Sequence, residues 1–346
     1  MKIGILTTFD EINPGAYLQA YALQFFLKER GYQNYLINYK SFKYYCYEMK
    51  IYLCQKNPIR LFENIRKILR FKSLHKELKK TKFTFWLEDV NREEFDIIIL
   101  GSDEIWNFKN CIGVADPAYY SVGLKAKKFI AYAPSFGNVD EMMEIPEYVI
   151  EGIKNINHIS VRDINSLNIL KNKLGISARL VLDPTFLYDF DRVLEEPRYS
   201  NYILVYGFFD EYTMNNIKLF SREIGLPIIS VFYPNRESDL NVNVISPLQW
   251  IGFIKNASYI ITNMYHGLIF SLKYRKNFAT QITPYRKNKL DTLIKLFKLE
   301  QRVFNKDENV FIGEIFKTEL NYSEILEKIG VYKRDSVNFL LEAIND

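Results

Sequence analysis

Short apolar runs alternate with helically spaced apolar positions along most of the chain. Lys2–Phe9 is a run broken only by Thr7 and Thr8, and reads as a buried parallel strand. A turn-rich stretch, Asp10–Gly15, follows. Ala16–Gly31 then carries Leu18, Ala22, Leu23, Phe26 and Leu27 at helical spacing, with Gly31 as its stop. Asn34–Tyr39 is the next strand. This βαβ opening predicts a doubly wound α/β domain with its loops at the strand C-termini. Phe95–Asn107 contains a strand ending in Gly101-Ser102-Asp103, and Lys128–Ala133 one ending in Pro134-Ser135-Phe136-Gly137. Ile159–Asp163 puts Arg162 just past a short strand. Leu180–Asp183 closes the first half.

The pattern restarts after Glu195-Glu196-Pro197. Tyr202–Tyr206 and Pro227–Phe232 read as strands around a helix Glu211–Ile224 that Gly225 ends. Ser246-Pro247 opens a helix to Ala257, with Ser as N-cap and Pro at N1. In Ser258–Lys276 a strand (Tyr259, Ile260, Ile261) meets Thr262-Asn263, read as turn and N-cap, and then a helix from Met264. Phe278–Ile282 is a further strand, and Tyr285–Lys289 a basic loop into a helix Leu290–Leu299. Two α/β halves, Rossmann-like and facing a cleft, are the predicted architecture. Residues 1–190 form the N-terminal domain and 198–320 the C-terminal domain. Residues 321–346 are C-terminal helices that can pack back on the first.

Composition narrows the partners. The 346 residues carry a formal charge of +5, a mild excess that suits anionic small molecules or membrane surfaces but not nucleic acid. The excess is concentrated. Residues 39–82, an insertion-like stretch, hold thirteen Lys or Arg against three Glu. Within it Pro58–Phe71 places Ile59, Phe62, Ile65, Ile68 and Leu69 beside Arg60, Arg66, Lys67 and Arg70. That helix either lies on an anionic membrane or packs its apolar side on the domain. Cys46, Cys54 and Cys111 show no CxxC spacing, so neither a disulfide framework nor a thiolate zinc site is expected, and a reduced, cytoplasmic protein is. The first nine residues read as a strand rather than a signal peptide. No apolar run reaches the roughly 20 residues that span a bilayer.

The candidate chemistry gathers at strand ends. His266-Gly267 falls in the first turn of its helix, where backbone N–H groups and the helix dipole favour an anion. Gly267 allows a close approach to that backbone, Asn263 precedes it, and Arg286 and Lys287 stand in the later basic loop. A capping or core histidine is the plainer alternative. Arg162 can hold a carboxylate or phosphate in a fork, or pair with Asp163 or another acid. In the first half Asn13, Gly15, Gln19, Ser102 and Asp103 lie at ligand-loop positions, although Asn13 or Ser102 would serve equally as ordinary caps. Asp189 and Asp191 make a D-x-D, but it follows a linker-like Pro and reads as solvated acid, so no metal site is expected.

Several segments together resemble the polysaccharide pyruvyltransferase family: residues 15–24 (GAYLQAYALQ), 101–107 (GSDEIWN), 160–167 (SVRDINSL), 181–186 (VLDPTF) and 263–272 (NMYHGLIFSL), with Arg286 and 296–302 after them. Each is short, but they occur in the family's order. The chain departs where the family usually has Gln in place of Glu104 and Ser-Phe in place of Met264-Tyr265. The resemblance implies a fold like the GT-B glycosyltransferases. It also implies phosphoenolpyruvate as donor with no further cofactor, and a pyruvate ketal formed on a sugar of a cell-surface polysaccharide or its lipid-linked precursor. The enzyme would be cytoplasmic or peripheral on the inner face of the membrane. On this reading His266 is the general acid, a role histidine fills near neutral pH. Arg162 joins it in catalysis. Asn263, Gly267, Arg286 and Lys287 hold the donor, and the first-half loop residues face the acceptor. A nucleotide-sugar glycosyltransferase, or a non-catalytic sugar-binding protein of envelope synthesis, would share the fold.

Overall fold

A computed structural model of the protein describes residues 1–110, 115–305 and 311–346; Cys111 lies outside them. The chain divides into two compact units, Met1–Tyr188 with Gly330–Asp346, and Asp189–Ile329.

The first unit contains β1 (Lys2–Leu6), α1 (Pro14–Glu29), β2 (Gln33–Leu36), α2 (Phe42–Leu53), α3 (Pro58–Leu74), α4 (Leu87–Arg92), β3 (Ile97–Leu100), β4 (Lys128–Ala131), α5 (Glu147–Lys154), β5 (His158–Val161), α6 (Ile164–Leu174) and β6 (Arg179–Leu180). Its six strands are all parallel, in the order β2-β1-β3-β4-β5-β6. Central strands of such a sheet are covered on both faces and become continuous apolar runs. The fully buried Ile97-Ile98-Ile99-Leu100 is one. Helix ends follow local chemistry. Asn13 caps α1, its Oδ1 accepting from the N–H groups of Gly15 (3.0 Å) and Ala16 (3.4 Å), and Pro14 opens the helix. Asp163 caps α6, and Gly175 ends it in the left-handed conformation.

The second unit contains β7 (Ile203–Tyr206), α7 (Glu211–Ile224), β8 (Ile228–Val231), β9 (Leu240–Val242), α8 (Pro247–Asn256), β10 (Tyr259–Thr262), α9 (Tyr265–Lys273), β11 (Asn277–Gln281), α10 (Lys287–Phe297), β12 (Val303–Phe304) and α11 (Ile312–Lys317). Its sheet is again parallel, in the order β12-β11-β10-β7-β8-β9. Ser246 and Gln249 close a reciprocal capping box on α8. A last helix, α12 (Tyr322–Asn345), begins in the second unit, and from Gly330 on its residues belong to the first. There the Ser336 hydroxyl accepts from the N–H of Leu182 at 2.8 Å. No helix among the described residues is long and apolar enough to cross a membrane.

Candidate functional site

In both sheets the strand order reverses at one place, and ligands of open α/β sheets sit outside the strand C-termini at that place. In the first unit the reversal lies between β1 and β3. In the second it lies between β7 and β10.

At the first reversal the Thr7 hydroxyl donates to the carbonyl of Ser102 at 3.0 Å, joining the two strand ends. Gln19 reaches back from α1 and donates to Thr7 Oγ1 (2.9 Å) and to the carbonyl of Thr8 (2.8 Å). Gln19 and Ser102 are fully buried. Both therefore serve the protein's own loops. Asn13 and Gly15 are likewise engaged in the start of α1.

Arg162 lies at the centre of this edge. Its guanidinium donates to Asp183 Oδ2 at 2.8 Å and to Asp103 Oδ1 at 2.9 Å, and its side chain is almost wholly buried. Sequence reading set a role as oxyanion holder against an ion pair with Asp163 or another acid. The structure shows the ion pair, but with Asp103 and Asp183, while Asp163 caps α6. The reason is electrostatic: a buried guanidinium needs counter-charges, and two carboxylates meet it here. Asp103 is what this arrangement presents. Its backbone sits at φ 77°, a strained value for a non-glycine residue, and its side chain keeps 17% exposure at the strand edge.

Glu11, two residues short of α1's cap, accepts a hydrogen bond from the Tyr44 hydroxyl of α2. Lys40 binds Asp10 (2.9 Å) and also Glu48 of the same helix. Burial pushes the Glu11 carboxyl up to about 7, against the lowering effect of Tyr44 and Lys40. The native state therefore holds this proton more tightly than the unfolded chain. The stabilisation is complete below about pH 4.5 and lost as pH rises through about 7. Between those limits the loss is at most about 3 kcal/mol. We expect Glu11→Gln to gain stability relative to the native protein across that range, read by urea unfolding at several pH values. A difference that is flat with pH would exclude this coupling. His75, pushed down to about 4 chiefly by burial, slopes the other way below its ordinary value, so the difference between variants is the informative quantity.

The second reversal is built differently. The Thr262 hydroxyl donates to the carbonyl of Tyr206 at 2.7 Å and accepts from the N–H of Met264 at 3.1 Å. Met264, rather than Thr262 or Asn263, is thus the N-cap residue of α9, and it supplies no side-chain cap. Asn263 instead donates to the carbonyl of Phe208 at 2.6 Å. From the other side Asn235 donates to the carbonyl of Gly207 at 3.1 Å. The Gly207–Phe209 turn is fixed by both. Gly207 has φ 140°, and a Cβ there would collide with Asn263. Gly267 is also spoken for: the close approach it permits is made by the Thr262 side chain and the Tyr206 ring.

His266 stands in the first turn of α9, 8% exposed, its ring edge-on to Tyr265 at 5.3 Å. Tyr206 packs on Trp250 (4.8 Å) and Tyr233 (5.5 Å). Burial pushes the Tyr206 and Tyr233 hydroxyls up, and in both the positive charge of Arg286 opposes the shift. Arg286 thus acts at Tyr206, the last residue of β7, and at Tyr233, just past β8. Lys287 does not join it: exposed, it pairs with Asp291 one turn along α10 at 2.6 Å. Sequence reading missed Tyr206, Tyr233, Asn235 and the Glu11–Tyr44 pair. Tyr206 could have been found as the strand end beside the reversal; the others meet only in space. Asp189 and Asp191 are exposed. Asp189 caps a short 3₁₀ turn, and Asp191 pairs with Lys255 at 3.2 Å.

Two doubly wound parallel sheets, each with polar side chains at its reversal point, place the chain in the GT-B-like fold class. The family model for polysaccharide pyruvyl transferases matches residues 13–280. The chain belongs to that family. Among solved structures it is similar to a Listeria monocytogenes protein assigned as UDP-N-acetylglucosamine 2-epimerase (8% identity, TM-score 0.53, 97% of this chain and 90% of that one). It is also similar to the Rickettsia bellii UDP-N-acetylglucosamine 2-epimerase (10% identity, TM-score 0.48, covering 99% and 96%). A third is the E. coli heptosyltransferase WaaC with ADP (13% identity, TM-score 0.45, covering 96% and 100%). At these identities the likeness concerns the fold alone. No curated protein matches the chain.

Proposed function

We propose that the protein transfers the enolpyruvyl group of phosphoenolpyruvate to a sugar of a cell-surface polysaccharide or its lipid-linked precursor, closing a pyruvate ketal. The observation that carries this is the family match across residues 13–280, which includes the start of α9 and His266. His266 gives a proton to C3 of the donor, a sugar hydroxyl adds at C2, and the C2–O bond to phosphate breaks. A second hydroxyl of the sugar then adds at C2 and closes the ring. Of the two protons the sugar gives up, one balances that taken by C3 and the other leaves with phosphate. The uncapped first turn of α9 and Arg286 hold the donor's anionic groups. Arg162 acts as a positioning residue for Asp103, to which we assign the first unit's contact with the acceptor.

Phosphoenolpyruvate should raise the melting temperature by several degrees once well above its Kd, since ligand at about 100 times Kd adds about 2.7 kcal/mol. Arg286→Ala should weaken its binding by about 1.5–3 kcal/mol, the range for a charge-assisted hydrogen bond. A thermal shift with nucleotide sugars and none with phosphoenolpyruvate would assign the protein to glycosyl transfer instead.

A further inference from the structure

The basic insertion presents a surface that the transfer reaction does not use. Helix α3 has two faces. Its inner face is anchored: Phe71 is buried, the Tyr17 hydroxyl of α1 donates to the carbonyl of Leu74 at 3.2 Å, and Asn64 donates to the carbonyl of Tyr52 of α2 at 2.9 Å. His75, which ends the helix, contacts the rings of Phe9 (5.8 Å) and Tyr17 (6.2 Å). The helix is therefore fixed to the unit. Its outer face nevertheless carries Ile59 at 70% exposure and Phe62 and Leu69 at 61% each. At about 100° per residue these three share one face, and Arg66 and Arg70 fall among them. The Arg66 guanidinium lies 5.8 Å from the Phe62 ring. An apolar stripe with cations along it runs for about 17 Å, at 1.5 Å per residue.

We propose that this face of α3 docks the protein on an anionic lipid bilayer, Ile59, Phe62 and Leu69 entering the headgroup–acyl boundary and Arg66 and Arg70 meeting the headgroup phosphates. Large exposed apolar side chains mark an interaction surface when they are contiguous. Charge decides the partner. The helix holds five Lys or Arg against Glu63 alone, so a second copy of the face would be repelled, while anionic lipid supplies both the counter-charge and the apolar phase. The inference does not depend on the transfer reaction.

The test is co-sedimentation of the full-length protein with phosphatidylglycerol and with phosphatidylcholine vesicles, which carry no sugar. The protein should pellet with phosphatidylglycerol at low salt, release at high salt, and stay in solution with phosphatidylcholine. Ile59→Ser/Phe62→Ser/Leu69→Ser should weaken partitioning by at least about tenfold. Arg66→Gln/Arg70→Gln should weaken it about 25-fold, roughly fivefold per cation. Both variants change exposed positions and should melt with the native protein. No pelleting with phosphatidylglycerol at low salt, equal pelleting with phosphatidylcholine, or an apolar variant that pellets like the native protein each overturns the proposal. So does a dimer that the apolar variant dissociates in the absence of vesicle binding, which would make the face a self-interface.

Discussion

Replacing His266 by Ala is expected to lower turnover with phosphoenolpyruvate by about 10²–10⁴-fold, the usual contribution of a positioned acid. The melting temperature should stay close to that of the native protein. The ring stands in the first turn of α9, at the sheet's reversal point, and the N-cap residue Met264 supplies that turn with no side-chain cap. Donor affinity should change far less than turnover, because the helix N–H groups and Arg286 remain. A histidine that merely filled the core would behave in the opposite way, with stability lost and turnover per folded molecule preserved. His266→Gln separates the two further: it keeps polar volume without a proton to transfer near neutral pH, so it should fall with Ala in turnover and with the native protein in stability. Single-turnover rates and thermal melts on both variants decide the matter.

The second large effect is on stability. Arg162→Leu should destabilise the protein by about 3–5 kcal/mol, because Asp103 and the fully buried Asp183 lose the guanidinium that compensates them. The loss should not add with removal of the acids. Arg162→Leu/Asp183→Leu should recover part of it, since an apolar pair of similar volume can replace a buried ion pair at little cost. Urea midpoints for the two single variants and the double variant give the coupling. A single Arg162→Leu costing under about 1 kcal/mol, or strict additivity, would show the buried ion pairing to be incidental. Ser102 shares the arrangement, its hydroxyl donating to Asp183 Oδ2 at 3.2 Å, so the first unit's edge should loosen as a whole.

What the sequence made legible was local. The span of α7 could be read because the capping Asp210 and the terminating Gly225 stand directly beside its first and last residues. The α8 start could be read because Ser246, Pro247 and Gln249 are adjacent. The start of α9 shifted by a residue or two because Thr262, a good cap by type, spends its hydroxyl on the Tyr206 carbonyl of a neighbouring strand. The same limit hid the surroundings of Arg162. Its two carboxylates lie 59 and 21 residues away and arrive only when β3, β4, β5 and β6 are laid side by side. Glu11 and Tyr44 are 33 residues apart and meet only because Lys40 anchors α2 to the loop after β1. Periodicity also found the apolar positions of α3 without revealing that Phe71 faces the unit while Phe62 faces away.

The central claim is that the protein is a phosphoenolpyruvate-dependent ketal-forming transferase. Its most direct test is incubation with phosphoenolpyruvate and a panel of lipid-linked sugars, measuring inorganic phosphate and acid-labile pyruvate in the same reaction. The account predicts phosphate release that requires a sugar, matched mole for mole by pyruvate bound to that sugar, and slowed about 10²–10⁴-fold in His266→Ala. Pyruvate-free sugar across the panel, together with transfer of a glycosyl group from a nucleotide sugar, would contradict it.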